Sequence, residues 1–96
     1  MVKHIVCFKL KDNSYEACLK AKEVLMNMEG RVPQLVSINV GIDFLHSERS
    51  YDVILEVVVK TKEELDAYQK DEYHVNVVKP YMYSVRLTSV AVDYEF

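Results

Sequence analysis

The stretch that most limits the folds open to this 96-residue chain is "DVILEVVVK", residues 52–60. β-Branched residues dominate it, so it reads as a strand. Successive side chains of a strand go to opposite faces. Val53, Leu55, Val57 and Val59 take one face, while Ile54 and Val58 place apolar groups on the other, interrupted only by Glu56. A sheet built around such a strand needs cover on both faces. A domain of this length buries only roughly 60–70% of its unfolded surface, so that cover is scarce within one chain.

The flanking segments show what is available. In "VKHIVCFKL", Val2, His4, Val6, Phe8 and Leu10 alternate with Lys3, Ile5, Cys7 and Lys9, which predicts a first strand over 2–10. Residues 14–29 carry Ala17, Ala21, Val24, Leu25 and Met28 at helical spacing, with Ser14 or Asn13 as N-cap and Gly30 as the stop. "LVSINVGIDF" alternates again, with Val36, Ile38, Val40, Ile42 and Phe44 on one face. After the doubly apolar strand, Thr61 and Glu64 form a capping-box pattern that starts a helix near Lys62. That helix is expected to run to about Val78, where Pro80 closes it, and "SVRLTSVAVDYEF" gives a last strand. The order β-α-β-β-α-β predicts a ferredoxin-like α+β domain over 1–96, one antiparallel sheet with helices on one face. The cover missing from the other face is then a second copy of the chain, sheet against sheet, in a homodimer.

The second helical segment contains "AYQKDEYHVNVVKP", in which Tyr68 and His74 are six residues apart. On one straight helix they would point about 120° apart. A break at Asp71, a residue suited to capping a new helix, would let both rings converge over the sheet.

Composition excludes several function classes. A net charge of -3 and no concentrated basic surface argue against a nucleic-acid partner. No run approaches the roughly 18 apolar residues that span a bilayer, and "MVKHIVCFKLK" lacks the apolar core of a signal peptide. No membrane association and a cytoplasmic location are therefore expected. Cys7 and Cys18 have no CxxC spacing and read as small buried hydrophobes. Three scattered histidines without HxH or HxxxH spacing give no metal site, and no glycine-rich phosphate loop suggests a cofactor.

Among the histidines, His46 belongs to a polar loop and is expected to be solvated. His4 is the polar exception on an apolar strand face, so its ring needs a partner inside the fold. A core histidine bonded to a backbone carbonyl is the simplest account of it, as a half-exposed helix histidine is of His74 and core packing is of Tyr68. Taken together, the three suit a different task. An imidazole is a general base near neutral pH and a phenol donates to a carbonyl or enolate oxygen, a pairing fit for removing a proton beside a carbonyl.

The segments "VKHIVCFKLK", "VPQLVSINVGIDF", "YDVILEVVVKTKEELDAYQKDEYHVNVVKP" and "VAVDYEF" resemble, in order and along essentially the whole chain, the stress-responsive dimeric α/β-barrel domain family. Its most specific pieces here are Lys3-His4, Gly41, and Leu65, Tyr68 and His74 in an L-x-x-Y…H pattern. The resemblance implies a ferredoxin-like monomer whose sheet pairs with that of a second copy to make a barrel. It also implies a small apolar or aromatic ligand between sheet and helices. Most members carry no assigned activity, which leaves a non-catalytic role in stress stability as one reading. A plant member is a polyketide cyclase, and by likeness to it His74 would be the base, Tyr68 the acid and His4 a ligand contact. The chain departs from that pattern at Val53, where the cyclase has a further pocket histidine, and at Glu72, where the family usually has proline.

Overall fold

A computed structural model describes residues 1–96. The strands are β1 (Val2–Leu10), β2 (Ser37–Ile42), β3 (Val53–Val59) and β4 (Arg86–Glu95), and the helices are α1 (Tyr15–Met26), α2 (Lys62–Lys70) and α3 (Lys79–Val85). A π-helical turn, His74–Val78, leads directly into α3. The strands form one sheet in the order β2-β3-β1-β4, with every neighbouring pair antiparallel. This is the expected ferredoxin-like arrangement.

Local chemistry accounts for the boundaries. The Ser14 hydroxyl accepts the Ala17 N–H and starts α1. The helix proper ends at Met26, three residues earlier than its apolar spacing suggested, and the chain leaves it through turns to Gly30, whose φ of 81° favours glycine. Thr61 Oγ1 accepts the Glu64 N–H, so one half of the expected capping box is formed. β2 stops at Ile42; Phe44 lies beyond it and is 88% exposed, so it is not part of the apolar face assigned to it.

The expected termination at Pro80 is not what happens. The helical run continues to Val85, with Pro80 inside it. In an α-helix Pro80 would lose a hydrogen bond and press its ring on the carbonyl four residues back. The turn before it is wider: the Lys79 N–H bonds the His74 carbonyl, five residues back. That widening relieves the clash, so proline is accommodated instead of ending the helix.

Register decides which side chains meet. Val6 pairs with Leu55, and Leu55 with Val40, all directed at the helices. α1 packs on β2 and β3, and α2 packs on β1 and β3. Ala21, Leu25 and Met28 meet Val57 and Val59 in this core, with Tyr68 and Val78 closing it. β4 carries little helix cover, and nearly all of it is exposed. Its helix-facing residues next to Phe8, Val6 and His4 are Ser89, Ala91 and Asp93. Small side chains under thin cover leave space, and that space becomes the site.

The opposite face of the sheet carries Ile5, Cys7, Ile54, Val58, Val90, Val92 and Tyr94, with Lys3, Lys9, Ser37, Asn39, Glu56 and Thr88 among them. Val92 is 61% exposed and Val90 and Tyr94 are also open to solvent. Gly41 lies on this face, where a Cβ would come within 3.1 Å of Ile54 Cγ2. An uncovered apolar sheet face is thus present, as the doubly apolar β3 required.

Candidate functional site

The break expected at Asp71 is present. Asp71 has an extended ψ of 136°, and its carboxylate accepts the N–H groups of Tyr73 at 3.0 Å and His74 at 3.3 Å. One residue therefore ends α2 and caps the helical turn that follows. The change of direction brings Tyr68, at the end of α2, and His74, at the start of the π turn, onto the same side. Their rings stack with centroids 4.5 Å apart and planes inclined by 26°. His4, from β1 below, meets the Tyr68 ring edge-on at 5.8 Å. All three residues are buried.

These rings line a cavity of about 250 Å³ between the helices and the β1–β4 half of the sheet. Val6, Phe8, Val78, Met82 and Ala91 supply apolar wall, and Ser89, Gln69, Lys79, Tyr83 and Arg86 supply polar edge. Val53 is buried core outside this lining.

The hydrogen bonds around the rings set their chemistry. His4 Nδ1 is held by the Asp93 carboxylate. A carboxylate on Nδ1 fixes the tautomer with the proton there, which leaves Nε2 as a bare acceptor for whatever occupies the cavity. The expected backbone-carbonyl partner of His4 is thus replaced by a side chain. His74 Nδ1 is buried without a hydrogen-bond partner. Burial, then the positive charge of Lys79, pushes the His74 pKa down to about 4, with a smaller push from His4; the Tyr68 backbone carbonyl and Asp71 oppose the shift. His74 is consequently an uncharged ring at neutral pH and a weak base. Burial, aided by the nearby Asp71 charge, raises the Tyr68 pKa, so its phenol stays protonated. The Tyr68 hydroxyl points at Met28 Sδ, 3.8 Å away, a weak partner.

The structure therefore brings Tyr68, His74 and His4 together, with the Tyr68 hydroxyl directed at Met28 Sδ. It adds Asp93, which sequence reasoning missed. No local pattern points to it: Asp93 shares a face of β4 with Ser89 and Ala91, and only the register of β1 and β4 sets it opposite His4. His46 is exposed, as expected. No group of three or more His, Cys, Asp or Glu side chains is placed to hold a metal.

A family model described as "Stress responsive A/B Barrel Domain" matches residues 2–96. No curated protein matches the chain. Among solved structures, a dimeric protein of unknown function with a ferredoxin-like fold from Bacteroides fragilis is 26% identical, with 99% of this chain and 95% of that one covered and a TM-score of 0.83. An Arabidopsis thaliana protein at 20% identity covers 100% and is itself covered over 95%, with a TM-score of 0.85. An antibiotic biosynthesis monooxygenase at 14% identity, with 100% and 98% covered and a TM-score of 0.76, shares the fold alone.

Proposed function

The chain belongs to the stress-responsive A/B barrel domain family, and from that premise we propose that it is a homodimeric carrier of one active pocket per subunit. Each pocket takes a small, largely apolar carbonyl compound and withdraws a proton from the carbon beside the carbonyl. The observation that supports this most is the His4–Asp93 pair at the edge of an apolar cavity. Asp93 holds the His4 ring with Nε2 free to take the proton, while the electron pair left on carbon delocalises onto the carbonyl oxygen. His74 offers the ligand an uncharged ring in a largely apolar wall, and Tyr68 keeps that ring in place by stacking.

This assigns the base to His4, where likeness to a polyketide cyclase would give it to His74 with Tyr68 as acid. The preference rests on His74's depressed basicity and on the direction of the Tyr68 hydroxyl. A cavity of about 250 Å³ exceeds the roughly 150 Å³ that holds benzene, so one ring with a short side chain is a suitable occupant. Dimerisation is supported by the apolar outer face and by the dimeric Bacteroides fragilis protein.

The binding half of the proposal is tested by calorimetric titration of the protein with 4-phenylbutan-2-one. The Ala91→Phe variant, which fills the cavity from β4, should keep its circular dichroism spectrum and lose binding. Equal binding by the two proteins would place the ligand elsewhere. Light scattering that shows a monomer at micromolar concentration would remove the dimer.

A further inference from the structure

The mouth of the cavity carries two cations and no anion. Lys79 and Arg86 line it, and none of the residues lining it is Asp or Glu. This runs against the balance of the chain, in which 15 acidic residues outnumber 12 basic ones. Neither cation has an acidic partner: the ion pairs of the structure are His4–Asp93, His46–Asp43 and Lys62–Glu95. The carboxylates that touch or act on the lining rings are both engaged: Asp93 holds His4, and Asp71 caps the turn through the N–H groups of Tyr73 and His74.

The two side chains are nevertheless held in place. Lys79 Nζ donates to the Gln69 carbonyl at 3.1 Å, which uses one of its three donors. Arg86 lies over the Tyr83 ring, 4.6 Å from its centroid. A cation–π contact of this kind is not a hydrogen bond, so it leaves N–H donors of the guanidinium available. None of them makes a hydrogen bond within the chain. An edge of parallel N–H groups matches the two oxygens of a carboxylate, and a second cation nearby adds to the attraction. Both cations are half-buried beside an apolar wall, where such a pairing is screened less than on open surface.

We propose that the pocket's ligand is a small monocarboxylate that also carries the reacting carbonyl, with its carbonyl-bearing aromatic or alkyl body in the cavity and its carboxylate at the mouth between Arg86 and Lys79. The inference rests on the pocket reading above and adds the charge of the molecule to it. It also orients the ligand: the anionic end is fixed at the mouth, so the opposite end reaches toward His4 and His74. Arg86 and Lys79 are specificity residues in this arrangement, since they select for the anion and touch no reacting atom.

The test compares 3-phenylpropanoate with 3-phenylpropanamide, a pair alike in shape and differing in charge, by calorimetry at low salt. The acid should bind at least tenfold tighter than the amide. Arg86→Gln and Lys79→Gln should each reduce that preference without weakening the amide, and Arg86→Glu should reverse it. Amide binding equal to acid binding would overturn the charge assignment while leaving the pocket intact. Binding of neither would overturn the pocket and the charge assignment together. Circular dichroism of each variant separates a lost contact from a lost fold, and raised salt, which should weaken the acid alone, gives the same discrimination in the unaltered protein.

Discussion

His4 and Asp93 stand directly opposite each other across the β1–β4 ladder, and the carboxylate holds the imidazole through Nδ1. The pair joins the two ends of the chain at the edge of the cavity. Asp93 is the more exposed partner, with 44% of its side chain open, so its importance is expected in the orientation of His4 more than in stability. Asp93→Asn should keep the fold but remove the anion that fixes the tautomer. Nitrogen-15 spectra should then show the His4 ring passing from a single Nδ1–H tautomer to a mixture. A purely structural role for Asp93 would leave that spectrum unchanged.

His74 should titrate far below an ordinary histidine. Its folded pKa is lowered from 6.5 to about 4, chiefly by burial. Between those values the unfolded chain binds a proton that the folded chain refuses. Stability from this group is complete above pH 6.5 and is lost as the pH falls toward 4. The urea midpoint should therefore drop across that window more steeply in the native protein than in His74→Gln. Equal slopes would contradict the burial account.

Tyr68 separates packing from chemistry. Tyr68→Phe removes only a weak O–H···S contact and should cost less than about 1 kcal/mol. Tyr68→Ala empties a fully buried site and should cost about 3–5 kcal/mol in urea unfolding. If the ring's task is to hold His74, the Phe variant keeps ligand turnover within about threefold. A hundredfold loss, with binding intact, would return the hydroxyl to the role of acid.

Glu72 occupies the first helical position after Asp71, and its N–H makes no hydrogen bond. The ψ of 136° at Asp71 already suits a residue that precedes proline. Glu72→Pro should accordingly stabilise the protein by roughly 0.4–1 kcal/mol through a stiffer unfolded chain. A lower melting temperature in the variant would show that the break at Asp71 is less relaxed than it looks.

The alternation in β1 and β3, the two apolar faces of β3 and the break at Asp71 were all legible, because each depends on neighbours a few residues away. His4 could be read as a residue in need of a partner, but the partner was hidden. Asp93 is 89 residues distant and meets it only through the register of two strands. Pro80 misled because a helix-breaking rule assumes an α-helical ladder, and the π turn before it changes the spacing. Phe44 misled because alternation continues past the last ladder pair of β2. Lys79 and Arg86 drew no notice in sequence, since an unpaired cation is recognised only once its surroundings are known.

The central claim, that His4 backed by Asp93 removes a proton beside a carbonyl in this cavity, is tested most directly by deuterium exchange. Proton spectra of 4-phenylbutan-2-one in deuterated buffer follow the hydrogens next to the carbonyl. They should disappear faster with the protein than with buffer alone, the excess should vanish in His4→Gln, and most of it should survive in His74→Gln. Bound ligand whose hydrogens exchange no faster than in buffer would contradict the account, and so would an excess that persists when His4 is replaced.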